Sequence, residues 1–174
     1  MKLFTLILMV LTAQTVWAQD WARERVENSR RHGEWVTVRH ANRAVEAFVV
    51  YPESADKRPV VVVIHTIGGM TEWAQSMADQ LAEAGYIAIA PDLLSQMGPN
   101  GGRTKDFAAG AVREAVGHLN PDQITADLNA VADYALKLPA SSGKLFVTGY
   151  CWGGGQSFRF ATHRTDLAAA FVFY

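Results

Sequence analysis

The residues best suited to chemistry lie in one short run. Positions 149 to 155 read Gly-Tyr-Cys-Trp-Gly-Gly-Gly, and the residue at its centre, Cys151, is the single cysteine of the chain. The apolar stretch Leu145 to Thr148 leads in, and a helix over 156–162 is expected to lead out. This is the pattern glycine–x–nucleophile–x–glycine on a sharp strand-to-helix turn, with a thiol where serine is usual. The turn is strained, and the positions two before and two after the nucleophile must be small if strand and helix are to approach. Gly149 and Gly153 meet that need. A sulfur at a helix N-terminus faces free N–H groups and the positive end of the helix dipole, which favour the thiolate. The N–H of Trp152 would point to where an oxyanion forms. A second donor is expected from a glycine-bearing loop after the third strand, and His65-Thr66-Ile67-Gly68-Gly69 follows the run Val60 to Ile64.

Each feature has a plainer reading. Cysteine is among the most buried residue types, and a lone glycine–x–cysteine–x–glycine is a weak signal. The flanking strand, the extra glycines and the upstream loop favour the chemical reading. His163 lies more than three helical turns past Cys151, about 18 Å at 1.5 Å per residue, too far to act as a local base. His32, His40 and His118 stand among polar residues and read as surface groups. His65 reads as a loop-shaping residue, Asp92 as a turn residue, and Trp73, Tyr86 and Phe158 as core aromatics. No spacing of His, Cys, Asp or Glu suggests a metal site. Gly68-Gly69 lacks the Lys-Ser/Thr of a phosphate loop, so no cofactor is expected.

The elements that must hold these residues follow from periodicity. Glu34 to His40 and Ala44 to Tyr51 alternate in polarity around Asn42-Arg43, an antiparallel hairpin at a sheet edge. Val60 to Ile64 and Tyr86 to Ala90 are continuous apolar runs, the mark of parallel strands buried on both faces. Between them Thr71 would cap a helix with the stripe Trp73, Met77, Leu81 and Ala84, stopped by Gly85. Thr104 to His118 reads as a weak helix. Asn120-Pro121 reads as a cap with proline in the first turn; the helix beyond it buries Ile124, Leu128, Val131, Ala135 and Leu138. Ala168 to Tyr174 is a last strand. Strands alternating with helices imply an α/β fold with a mostly parallel, right-handed sheet.

Composition bounds the rest. Lys2 followed by the apolar stretch Leu3 to Val16 is too short to span a bilayer, and Val16-Trp17-Ala18 suits cleavage before Gln19, so residues 1–18 read as a secretory signal peptide. Residues 19–34 form a charged lead-in and 35–174 one domain. The net charge is −1, and loss of Lys2 would make it more negative. No basic run implies nucleic acid or a membrane surface as a partner. One cysteine in an exported chain cannot form an internal disulfide, so a free thiol is expected.

Three stretches carry a resemblance: Val60 to His65, Asp79 to Leu93 with its Ala-Pro-Asp-Leu end, and Val147 to Gly154. Together they resemble the dienelactone hydrolase family of α/β hydrolases, over about residues 35 to 174. The resemblance implies a three-layer α/β-hydrolase-like sandwich and a Cys-His-Asp triad that opens lactones or cleaves esters through an acyl-enzyme. By position, Cys151 would be the nucleophile, with Ile67 and Trp152 as the oxyanion N–H groups; the partner would be a small-molecule ester or lactone. Two departures stand out. Thr66 occupies the place of the family's usual glutamate, and Ile67-Gly68-Gly69 replaces Ile-Phe-Gly. Arg103 falls in a loop, where it reads equally as a substrate-carboxylate ligand or as a solvated charge.

In this fold the acid and the histidine follow the nucleophile on later strand ends, and the sequence runs only to Tyr174. The expectation is therefore an exported hydrolase lacking its last strands, a truncated chain inactive for want of the acid and histidine. The alternative is a non-catalytic binding or structural protein that dimerises through an exposed sheet edge.

Overall fold

The structure, a computed structural model, describes residues 20–174; the signal peptide expected over 1–18 lies outside them. Residues 20–27 are helical. Six strands follow: β1 (Gly33–His40), β2 (Arg43–Val50), β3 (Arg58–Ile64), β4 (Ile87–Pro91), β5 (Ser141–Tyr150) and β6 (Leu167–Phe173). Four helices join them: α1 (Glu72–Glu83), α2 (Ala111–Gly117), α3 (Pro121–Leu136) and α4 (Trp152–His163). The sheet order is β1-β2-β4-β3-β5-β6. The hairpin β1-β2 is antiparallel and joins β4 antiparallel, while β4, β3, β5 and β6 run parallel. The expected α/β fold with an antiparallel N-terminal hairpin is the one observed.

The sheet separates two apolar layers. Val60, Val62 and Ile64 of β3 face one way, onto Ile124, Leu128, Val131 and Ala135 of α3. Val61 and Val63 face the other, onto Ala74, Ala78 and Ala82 of α1. β3 lies between β4 and β5, and Val60 to Ile64 are at most 3% exposed. Its continuous apolar run is therefore two faces buried at once.

Packing departs from sequence periodicity in several places. The buried face of α1 is the small-residue row Ala74, Ala78 and Ala82; Trp73, Met77 and Leu81 flank it half-buried and Ala84 is exposed. Small side chains let the helix lie close to the sheet, and the larger neighbours seal its margins. Thr71 sits at the cap position of α1 without a side-chain cap bond. The expected helix from Thr104 to His118 is instead a single 3-10 turn (Thr104–Asp106), a break at Gly110 with φ 85°, and the short α2. Asn120 caps α3 as expected, its side chain accepting from the N–H groups of Asp122 and Gln123. Phe158 is 65% exposed on α4 and is no core residue.

Two buried carboxylates tie the periphery to this frame. Asp127 of α3 accepts from Arg43 at 2.7 Å and from Gln123 at 2.8 Å, and its Oδ1 lies 2.7 Å from His40 Nε2. His40, expected at the surface, thus helps fasten the hairpin to α3. Asp79 of α1 receives both Arg31 and Arg25, which docks the N-terminal segment. Burial raises the Asp79 carboxyl, but the hydrogen bonds from Arg31 and Ser29 and the nearby arginine charge outweigh it and hold it below the ordinary range.

Candidate active site

β5 ends at Tyr150 and α4 begins at Trp152, leaving Cys151 alone to turn the chain. Its backbone has φ 55° and ψ −117°, a left-handed conformation that costs a non-glycine residue about 1–3 kcal/mol. The neighbouring geometry holds it there. A Cβ on Gly149 would lie 1.9 Å from the Gly153 carbonyl oxygen, and one on Gly153 would lie 2.3 Å from the His65 oxygen and 2.5 Å from that of Ile64. A Cβ on Gly154 would lie 2.7 Å from Phe173 O. The Cys151 N–H donates to the same Phe173 carbonyl at 2.9 Å. The turn is thus clamped between the ends of β3 and β6, and the thiol is exposed. The elbow helix starts four residues earlier than expected, at Trp152, because the glycines can adopt helical backbone against those walls.

The loop after β3 reaches the elbow from the other side. His65 is fully buried, and its ring stacks on that of Trp152 at 5.4 Å and 12°. His65 Nδ1 lies 2.7 Å from the Thr66 carbonyl oxygen. That oxygen also accepts from Gly69 N–H at 3.0 Å, and the Thr66 hydroxyl accepts from Gly68 N–H at 3.1 Å. The Thr66 side chain, a departure from the glutamate usual in the resembled family, therefore turns back onto its own loop. Among the described residues, neither the Ile67 N–H nor the Trp152 N–H is taken by a protein acceptor. Burial pushes His65 below the ordinary imidazole value, against the opposing Thr66 hydrogen bond and the Asp92 charge.

The far end of this loop is pinned by a residue that the sequence did not single out. Thr104 Oγ1 donates to Asp92 at 2.7 Å and accepts from Met70 N–H at 3.1 Å. Asp92, expected as a turn residue, is 1% exposed and also accepts from the N–H groups of Leu94 and Thr104. The only prior hint of this bridge was the Pro91-Asp92 strand end. Beside it lies a cleft of about 450 Å³ between the loop and the segment 103–112, lined by Gly68, Met70, Trp35, Arg103 and Lys105. The Arg103 guanidinium sits 3.5 Å over the Trp35 ring, so it is a stacked cation rather than a freely solvated one.

His65 packs against the elbow through Trp152. His32 stacks on Tyr51 and His40 joins Asp127. His163 is 2.9 Å from Arg159 O at the end of α4, and His118 follows α2. Among the described residues no imidazole hydrogen-bonds Cys151 Sγ, and no cluster of three His, Cys, Asp or Glu could hold a metal ion.

A mostly parallel sheet whose strand-to-helix elbow carries a nucleophile type, set against the loop of a neighbouring strand, defines the α/β-hydrolase class. Among solved structures, a provisionally named dienelactone hydrolase of Klebsiella pneumoniae superposes with a TM-score of 0.70 at 27% identity, over 80% of this chain and 58% of its own. The model of the dienelactone hydrolase family matches residues 45–174, and the chain belongs to that family. It is 35% identical over 133 residues to a Yersinia pestis protein provisionally named carboxymethylenebutenolidase, covering 74% of this chain and 48% of that one. A Salmonella typhi protein of the same provisional name is 35% identical over 132 residues, covering 74% and 47%. The chain spans about half the length of these relatives.

Proposed function

We propose that Cys151 is an acyl-accepting nucleophile acting on a small ester or lactone in an exported protein. The observation that carries this reading is the elbow itself: an exposed thiol on a left-handed residue, walled by glycines whose Cβ atoms would strike backbone. The sulfur attacks the substrate carbonyl carbon, and the carbonyl oxygen becomes an oxyanion received by the N–H groups of Ile67 and Trp152. Collapse expels the alcohol oxygen, which takes up a proton, and leaves a thioester on Cys151. Water then releases the acid and restores the thiol. General-base assistance contributes about 10²–10⁴ in rate. No imidazole of the described residues hydrogen-bonds the sulfur, so both steps lack that assistance. An activated ester with a good leaving group still acylates the thiol, while attack of unassisted water on the thioester is slow, and turnover by this chain is slow. The names of the relatives favour a lactone or ester substrate, and the 1–18 segment favours export.

Incubation with p-nitrophenyl acetate, read by intact-mass spectrometry, tests this. The expected result is a single acetyl adduct that disappears in Cys151→Ala, with p-nitrophenolate released in a burst. An adduct that persists in Cys151→Ala would overturn the assignment.

One observation favours the second reading, a non-catalytic protein that pairs with another copy. Edge strand β6 exposes Phe171 and Val172 at 49% each and Phe173 at 45%, an apolar margin that strand pairing would cover. Sedimentation showing a concentration-dependent dimer that Val172→Lys dissociates would support it; a monomer at all concentrations would exclude it.

A further inference from the structure

We propose that His65 is the positioning residue of the oxyanion hole, fixing both N–H donors at once through its Nδ1–H and the face of its ring. The inference rests on the acyl-transfer reading above and deepens it. A carbonyl oxygen can only accept, so the 2.7 Å contact between His65 Nδ1 and Thr66 O places the imidazole proton on Nδ1. The Thr66–Ile67 peptide is trans, because no peptide bond among the described residues is cis. In a trans peptide C=O and N–H point in opposite directions. Holding the Thr66 carbonyl toward His65 and Gly69 therefore aims the Ile67 N–H the other way, out of the loop. The same ring lies 12° from parallel with Trp152, the residue after Cys151, and its own carbonyl oxygen forms part of the wall against Gly153. One side chain thus couples the loop donor to the elbow donor.

The burial of this ring is costly in a telling way. With the proton on Nδ1, Nε2 is a bare acceptor, and it is buried without a partner among the described residues. An unsatisfied buried acceptor destabilises the fold, which an apolar residue of similar size would avoid. What such a residue would lack is the Nδ1–H. The Thr66 carbonyl keeps its bond from Gly69 N–H, so the loop can survive loss of the imidazole while the aim of the Ile67 N–H loosens.

The test compares two reactions of the same thiol in the full chain. Acetylation of Cys151 by p-nitrophenyl acetate passes through an oxyanion, whereas alkylation by iodoacetamide does not. The ratio of the two rates, set against that ratio for glutathione, reports the hole independently of thiol reactivity. His65→Phe keeps the ring and removes the donor. His65→Asn places an amide N–H near the Nδ1 position without the ring, and His65→Ala removes both. Loss of an oxyanion donor costs about 10²–10³ in rate; loosening one donor is expected to lower the ratio at least about tenfold in Phe and Ala, with Asn restoring much of it. An unchanged ratio in Phe, or an Asn variant no better than Ala, overturns the positioning role; the Asn–Ala comparison stands even if Phe does not fold. Rates that fall together for both reagents also overturn it, since the effect is then on the thiol. A wild-type ratio equal to that of glutathione refutes the acyl-transfer reading itself, whereas a raised ratio retained in all three variants refutes only the role of His65.

Discussion

Within the run Gly153-Gly154-Gly155, adding one methyl group is expected to have opposite effects at its two ends. A Cβ needs about 3.4 Å of clearance, and at Gly153 it would find His65 O at 2.3 Å and Ile64 O at 2.5 Å. The shortfall is about 1.1 Å (3.4 less 2.3). The atoms in the way are backbone at the end of β3, a strand hydrogen-bonded on both sides and buried on both faces, so they cannot retreat. α4 must move outward instead, which separates Trp152 from His65 and loosens the contacts of the elbow with Phe173. Overpacking of this kind costs about 1–3 kcal/mol and occasionally more; with rigid walls Gly153→Ala is expected near 3 kcal/mol, the upper end of that range. At Gly155 nothing lies within 4 Å and the residue is exposed within α4. There alanine removes the entropic handicap of glycine in a helix and should stabilise by about 0.5–1 kcal/mol. For a chain of this size each kcal/mol shifts Tm by about 2–4 °C, so the two variants should melt about 7–16 °C apart on opposite sides of wild type. Thermal unfolding followed by circular dichroism measures this. A Gly153→Ala protein that melts with or above wild type, or a Gly155→Ala protein that falls with it, would refute the claim that the elbow is held by steric contact with β3.

The remaining predictions concern the supports of the site. Thr104→Val preserves shape but leaves Met70 N–H unpaired and removes one of the three donors to the Asp92 carboxylate, which keeps Leu94 N–H and Thr104 N–H, and should cost about 1–3 kcal/mol by urea titration; no measurable loss would show that water replaces the hydroxyl. Asp127→Ala strands Arg43 and His40 beneath the hairpin and should cost about 3–5 kcal/mol, the usual penalty for breaking a buried pair. Replacing Asp127 and Arg43 together with apolar residues should recover much of that loss. The folded value of His65 is depressed, so between it and the ordinary value near 6.5 the unfolded chain binds the extra proton. Its contribution to stability is therefore complete above about pH 6.5. It is lost as pH falls toward the folded value, with a slope of up to about 1.4 kcal/mol per pH unit. His65→Asn should flatten that slope in urea titrations between about pH 5 and 7; an unchanged slope would assign it to other groups.

Much of the architecture was written in local pattern. The β-branched run Val60 to Ile64 permits little but a strand buried on both faces, and Asn120-Pro121 permits little but a helix start. Glycines spaced around a lone cysteine told where the chain must turn sharply. These signals act between neighbours in sequence, so the sequence alone determined the α/β class and the position of the elbow. Tertiary structure decided which partners meet. Nothing near Asp92 in sequence announces Thr104, and nothing near His40 announces Asp127, because loop closure and helix docking bring them together. The same holds for Phe158, whose helical position faces outward only because α4 buries Gly153, Ser157 and Phe160 on its other side. The His65 ring lies against Trp152 for the same reason: β3 and β5 are sheet neighbours though more than eighty residues apart in sequence. Periodicity tells how each element must bury itself, but only packing across the sheet chooses the atoms against which it does so.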